Sequence, residues 1–367
     1  MLLVQSERNA LLAALSAVVG VVERRHTLPI LSNLLLEKKA GKLTLLATDL
    51  ELQVSTRIDA PGGEDFAITI AARKLFDIVR ALPDDAKLKL DSKDSQVVVS
   101  AGKSRFTLQT LPAADFPRVE TGAGLGNAIR LPQKTLKRLL QLVQFAMASQ
   151  DVRYYLNGML LVLEGKQLRV VATDGHRLSY AETALETEGE AREIIIPRKT
   201  VIELSKLLGD VDDAVELRIG ANQVTFTLPG TELVTKVVDG KFPDYQRVIP
   251  SNQPRHLKAR RQNVIQALQR AAILSNEKFR GVRLVMSENT LGIVCNNNEQ
   301  EEAADEIEVS YNGDPLDVGF NVTYLLDGLG AVNTDEITLS LGDANSSMLL
   351  TSEGEPGFKY VVMPMRI

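Results

Sequence analysis

Ala172-Thr173-Asp174-Gly175-His176-Arg177-Leu178-Ser179-Tyr180-Ala181-Glu182 has a fainter twin at Ala47-Thr48-Asp49-Leu50-Glu51-Leu52-Gln53-Val54-Ser55, and this repetition decides the fold. Each copy follows an apolar run, Leu43-Thr44-Leu45-Leu46 or Leu168-Arg169-Val170-Val171, which reads as a strand entering a polar turn. Asp49 and Asp174 stand 125 residues apart. A third copy is due near 297, where Leu291-Gly292-Ile293-Val294-Cys295 leads into Asn296-Asn297 in place of Thr-Asp.

Other stretches keep the spacing. Phe116-Pro117-Arg118-Val119 is matched 126 residues later by Phe242-Pro243-Asp244-Tyr245-Gln246-Arg247-Val248, and Ala72-Arg73-Lys74-Leu75 is matched by Pro197-Arg198-Lys199-Thr200. A period of this length is a whole small domain, not a solenoid unit. Three tandem α+β copies are therefore expected, over residues 1–121, 129–250 and 254–367. The Gly-rich stretch 121–127 and Pro250-Ser251-Asn252-Gln253-Pro254 read as linkers.

Leu11, Leu12, Leu15, Val18, Val19 and Val22 form the stripe of a helix with one buried face, answered by Leu136, Leu139, Leu140, Val143 and Met147, and then by Val264, Ile265, Leu268, Ala271 and Ala272. Each repeat is expected to open on that helix. Hairpins follow, turning at Gly41-Lys42 and Gly165-Lys166, then a second helix at about 72–82, 198–208 and 321–331, then more alternating strands. Helices laid on antiparallel sheet give the α+β class.

At 367 residues and 44% hydrophobic, the chain can bury two or three cores. No apolar run approaches the roughly 20 residues of a membrane helix, and the first residues carry no leader pattern, so a cytoplasmic protein without membrane contact is expected. The single Cys295 excludes an internal disulfide and a cysteine-based zinc site. Tryptophan is absent, which argues against a stacking platform for single-stranded bases, and the net charge of −5 argues against a generic nucleic-acid binder. No cofactor motif is found.

His176 beside Asp174 resembles a base oriented by a carboxylate, the only hint of a hydrolase. A polar turn in which Asp174 binds backbone amides is the simpler reading. The helix charges carry more. Lys134, Lys137 and Arg138, and likewise Arg260, Arg261 and Arg270, have no acid in their own helices. Arg73, Lys74 and Arg80 are offset only by Asp77, and Arg198, Lys199 and Lys206 only by Glu203. Equivalent helices with this surplus suggest a basic surface facing a polyanion, whether a scaffold or a ring. Six helices about 10 Å wide would enclose a bore of only about 9 Å, whereas twelve leave about 28 Å. Duplex DNA, roughly 20 Å wide, passes only through the second. Two chains joined head to tail are then required.

The residues at this point resemble the bacterial DNA sliding clamp family, the beta subunit of DNA polymerase III. The likeness runs end to end through Thr27-Leu28-Pro29-Ile30-Leu31, Leu111 to Pro117, Gln150 to Gly158, Ala172 to Leu178, Ala272 to Arg283 and Val361 to Arg366. It implies three clamp domains per chain, a ring-shaped homodimer around duplex DNA, and no catalysis or cofactor. It also implies partners, namely the replicative polymerase, the clamp loader, other polymerases and repair proteins, that bind through short linear motifs. Carried over by position, DNA-facing residues are Arg73, Gln150, Arg153, Tyr154, Tyr155, Arg198 and Lys199. Arg24-Arg25-His26 replaces the family's Gly-Arg-Pro, so Arg24 and Arg25 are both candidates. The partner cleft resembles Leu156, Thr173, Gly175, His176, Arg177, Leu178, Pro243, Arg247, Val248, Asn321, Tyr324, Val361, Met363, Pro364 and Met365. Of these, Met363 and Met365 are expected to be exposed. The dimer contact resembles Phe106 and Leu108 of one chain against Ile273 and Leu274 of the other.

Overall fold

The computed structural model describes residues 2–23, 28–62, 64–120 and 124–366. The first repeat runs β1 (Leu2–Glu7), α1 (Arg8–Val19), β2 (Asn33–Lys39), β3 (Lys42–Thr48), β4 (Leu52–Asp59), β5 (Phe66–Ala71), α2 (Ala72–Ala81), β6 (Lys87–Lys93), β7 (Gln96–Ala101) and β8 (Ser104–Gln109). The second runs β9 (Ile129–Pro132), α3 (Gln133–Val143), β10 (Gly158–Thr173), β11 (Arg177–Pro197), α4 (Arg198–Leu207), β12 (Ala214–Ile219), β13 (Gln223–Leu228) and β14 (Thr231–Lys236). The third runs β15 (Arg255–Arg260), α5 (Arg261–Ala271), β16 (Gly281–Ser287), β17 (Thr290–Asn296), β18 (Glu302–Glu308), β19 (Leu316–Asn321), α6 (Val322–Ala331), β20 (Glu336–Leu341), β21 (Met348–Thr351) and β22 (Phe358–Val362).

The second helices lie where the repeat puts them. The openings differ from expectation, because each repeat starts with a short strand that passes directly into its first helix. That entry is the same three times. The backbone N–H of Arg8 donates to the Ala86 carbonyl at 2.9 Å, that of Gln133 to Asp213 at 2.9 Å, and that of Arg261 to Asp335 at 2.8 Å. A neighbouring loop thus satisfies an amide that a side-chain cap would otherwise have to reach. Most of each apolar stripe is buried: Leu11, Leu15 and Val18 in α1, Leu136 and Leu140 in α3, and Val264 and Leu268 in α5 are at most 2% exposed, while Leu12, Val19 and Ile265 are half-buried at the stripe edges. Each fully buried leucine contributes roughly 1.5–3 kcal/mol.

The chain forms two compact units, Met1–Lys134 with Ile202–Val237 and Thr135–Val201 with Val238–Ile367. The first holds a four-stranded sheet, β1-β6-β7-β8, and an eight-stranded one, β5-β2-β3-β4-β14-β13-β12-β9. The second holds a six-stranded sheet, β10-β11-β22-β21-β20-β15, and a four-stranded one, β18-β17-β16-β19. The second repeat is divided between them because β14 pairs with β4, Thr231 opposite Thr56, and β11 pairs with β22, Leu178 opposite Val361. One copy's edge strand continues its neighbour's sheet.

The first hairpin turns one residue earlier than expected, at Ala40 and Gly41, both at positive φ, 49° and 75°, with Lys42 already in β3 opposite Lys39. This is the mirror-image turn favoured between twisted strands. In the second copy Gly165, φ 56°, lies inside β10, where its register against β11 shifts. Cys295 is buried and donates to the Gly281 carbonyl at 2.9 Å, and burial pushes its thiol pKa up. Among the described residues no helix is long and apolar enough to cross a membrane.

Candidate functional site

The repeated motif folds into the same turn in both copies. Asp49 Oδ1 accepts from the amides of Glu51 and Leu52 at 3.0 and 2.7 Å, and Asp174 Oδ1 accepts from those of His176 and Arg177 at 2.9 and 3.1 Å. The preceding threonine accepts from the residue two places on, Leu50 or Gly175, at 3.0 and 3.1 Å. Those residues both have positive φ, 80° and 91°. In the third copy the Asn297 side chain takes over, accepting from Glu299 and Glu301 at 3.0 and 2.9 Å.

The second copy builds a cavity beside its turn. Strand pairing puts Leu178 of β11 next to Val361 of β22, and both sink into an apolar cluster with Leu160, Val171, Tyr180, Ile195, Phe242 and Tyr245. Above this floor lies a cleft of about 190 Å³ lined by Arg153, Tyr155, Leu156, Thr173, Gly175, Arg177, Leu178, Phe242, Pro243, Tyr245, Val248, Val361 and Met363. The C-terminal segment is tied to the turn, since the Met363 amide donates to the His176 carbonyl at 2.9 Å. Ser347 donates to the Met363 sulfur at 3.1 Å.

Arg177 anchors the wall. Its Nε meets Asp174 Oδ2 at 3.0 Å, Nη1 meets Asp327 Oδ2 at 2.5 Å, Nη2 donates to the Phe145 carbonyl at 2.8 Å, and the guanidinium lies 4.5 Å from the Tyr324 ring centre. Burial alone would depress its pKa, but Tyr360, Asp327 and Asp174 outweigh this and hold it above the usual value. The same geometry removes the catalytic reading. Asp174 spends its oxygens on two amides and Arg177, while the His176 ring stacks on Tyr324 at 6.4 Å and 21°. Among the described residues no acid is hydrogen-bonded or ion-paired to the imidazole.

Nine of the fifteen sequence-predicted cleft residues therefore line the cavity. His176, Arg247, Asn321, Tyr324, Pro364 and Met365 do not. Asn321 caps α6, accepting from Thr323 and Tyr324 at 2.9 and 3.3 Å, so its oxygen is committed to the backbone. Arg247 extends into solvent and pairs with Asp244 at 2.9 Å. Met363 is exposed as expected, but Met365 is half-buried because its amide donates to the Gly319 carbonyl at 2.8 Å, extending the β19 edge. Phe242 and Tyr245 were missed, although their place in the repeated Phe-Pro segment was visible.

Of the DNA-facing candidates, Arg24 and Arg25 lie outside the described residues. Gln150 to Tyr155 form one loop. Gln150 is exposed at φ 59°, and Tyr154 is 58% exposed with its ring over Gly240. Arg153 pairs with Asp151 at 2.9 Å and donates to the Asp174 carbonyl at 3.3 Å. Its hydrogen bonds hold the Asp151 carboxyl down at about 2. Arg153 and Tyr155, read as DNA contacts, both line the cleft. Arg73 donates to the Val22 carbonyl at 2.6 Å, and Arg198 to Met147 at 2.9 Å.

The helix charges need correction too. Acids on other elements neutralise cations that look free within their own helices: Lys134 meets Asp212 at 2.7 Å, Arg270 meets Asp305 at 2.6 Å, and Arg138 pairs with Glu355. Arg261 closes α6, donating to the carbonyls of Thr334 and Leu329 at 2.8 and 3.2 Å, as Arg8 closes α2 through Val79 and Arg80 at 3.1 and 2.8 Å. Lys74, Lys137 and Arg260 have no ion-pair partner among the described residues.

The dimer candidates are unevenly placed. Ile273 is 77% exposed, while Leu108 is only 9% exposed within its own chain. Phe106 and Leu108 lie on β8, an edge strand, and β18 is the edge of another sheet.

Models of the DNA polymerase III beta subunit match the chain in three places: the N-terminal domain over residues 3–120, the central domain over 130–244 and the C-terminal domain over 246–366. The beta sliding clamp of Pseudomonas putida is 48% identical over 363 residues, 98% of this chain and 99% of its own length. That of Escherichia coli K12 is 46% identical over 362 residues, with the same shares covered. A Pseudomonas aeruginosa sliding clamp solved bound to griselimycin superimposes with a TM-score of 0.95 at 46% identity, each chain covered in full.

Proposed function

We propose that this chain, which belongs to the DNA polymerase III beta subunit family of sliding clamps, is a processivity factor whose partners are tethered through the cleft beside the Thr173–Leu178 turn. Two copies close around duplex DNA and slide along it. The polymerase and other proteins hold on by a short peptide with apolar side chains. The clamp performs no chemistry of its own, and it works in the cytoplasm.

The observation that carries this reading is the cleft itself. Its floor of Leu178 and Val361 is buried to within 2% of full coverage, its wall includes Met363, and its turn is locked by Asp174 and Arg177. Methionine adapts to differently shaped apolar side chains, which suits a site shared by several partners. Helix and strand-end cations left without an acid among the described residues, Lys74, Lys137 and Arg260, supply weak, sequence-independent attraction to phosphates.

Removal of residues 363–367 tests it. Fluorescence anisotropy with a labelled partner peptide should show binding lost in the truncated protein, with the dimer and its thermal unfolding nearly unchanged. Undiminished binding would rule the site out.

A further inference from the structure

Beside the cleft lies a larger cavity that the tethering role does not use. It has a volume of about 540 Å³ and is bounded by Val162, Glu164, Arg169, Glu193 and Lys241, together with the segment 242–246. Phe242, Pro243 and Tyr245 line both cavities, so this segment is a shared partition. The partition is firm. Phe242 and Tyr245 are 4% and 9% exposed, the Val238 amide bonds the Ile195 carbonyl at 2.9 Å, and Val248 closes a turn on Tyr245 at 3.1 Å. Pro243 is exposed, and forms the crest between them.

We propose that this outer groove receives the part of a partner's polypeptide that continues past the residues held in the cleft. The proposal rests on the tethering reading above. The cleft, at about 190 Å³, falls below the roughly 300–1,000 Å³ of sites that enclose a whole drug-sized ligand. It takes side chains, and the chain bearing them must leave over a rim. A chain crossing Pro243 enters the groove at once.

The charges specify its chemistry. Arg169 is engaged by Glu164 at 2.8 Å and Glu182 at 3.4 Å, Arg192 by Glu190 at 2.8 Å, and Asp244 by Arg247 at 2.9 Å. Lys241 and Glu193 have no ion-pair partner among the described residues. Lys241 lines the groove and immediately precedes Phe242 of the partition, whereas Glu193 lies on β11, away from it in sequence. The occupant is an extended segment with a carboxylate close to the apolar core of the motif, set to pair with Lys241.

A random-peptide library panned on the wild-type protein supplies the probe. The enriched peptide, and the same peptide cut back to its apolar core, are labelled and titrated against the wild type, Lys241→Glu and Ala191→Trp, both positions being exposed. The long peptide should bind Lys241→Glu about threefold to fivefold more weakly and be weakened by Ala191→Trp, while the core peptide binds all three alike. Lysine in place of the peptide's acid should restore affinity for Lys241→Glu. Equal responses of long and core peptides, or no response of either, overturn the groove. Core binding that survives removal of residues 363–367 overturns the cleft reading, and the groove with it.

Discussion

Arg177 Nε and Asp174 Oδ2 are 3.0 Å apart, and this pair joins the polar turn to the cleft wall. Asp174→Ala would leave the amides of His176 and Arg177 without acceptors and Arg177 with Asp327 as its remaining acidic partner. A loss of about 1–3 kcal/mol is expected, as for a part-buried charge-assisted network deprived of its acceptor. Asp174→Asn keeps one carbonyl oxygen and should recover about half of it. Thermal unfolding of the three proteins checks the order, with peptide affinity falling alongside stability.

Gly328 in α6 faces Tyr360, where an added Cβ would sit 2.3 Å from the ring. Gly328→Ala gains about 1 kcal/mol of helix propensity, but overpacking costs about 1–3 kcal/mol. The tyrosine cannot swing aside freely, because its hydroxyl donates to the Tyr324 carbonyl at 2.9 Å. Net destabilisation is expected in denaturant unfolding. A more stable variant would mean that the sheet yields at β22.

Ile273→Asp with Leu274→Asp should give a particle of half the mass in sedimentation. Ile273 is 77% exposed in the single chain, apolar surface that a second copy would cover. A charge buried there unpaired costs several kcal/mol. Leu108 is already covered by its own sheet, so Leu108→Ala should act mainly through stability. A dimer that survives the double substitution would place the interface elsewhere.

The Asp151 carboxyl, held down at about 2 by Arg153, stays ionised in mild acid. A depressed folded-state pKa gives stability that is complete above the ordinary carboxylate range and lost as pH falls toward the folded value. The Asp151 resonance, followed by NMR, should not titrate between pH 7 and 4. In Arg153→Ala its midpoint should rise toward the usual range.

The sequence made the repeating parts legible. The stripes at Leu11 and Leu136 and the turns at Asp49 and Asp174 depend on local periodicity and on bonds spanning a few residues, and they lie where expected. What needs distant partners was hidden. Arg255 to Arg260 is a strand because β20 supplies its hydrogen bonds, and Arg270 is neutralised by Asp305 on β18. The cleft was half visible. Its turn and C-terminal methionine could be read, but Phe242, Tyr245 and the inward lean of Arg153 and Tyr155 depend on which strands become neighbours.

On the proposed function, DNA is held by topology and contacts with it are weak. Protein loaded on a nicked circular duplex, washed at moderate salt and then treated with an enzyme that cuts the circle once tests it directly. Protein retained on the circle should leave when the circle is opened, and should stay when both new ends carry a bulky block. Retention on linear DNA with free ends would mean that contacts, not topology, hold the protein.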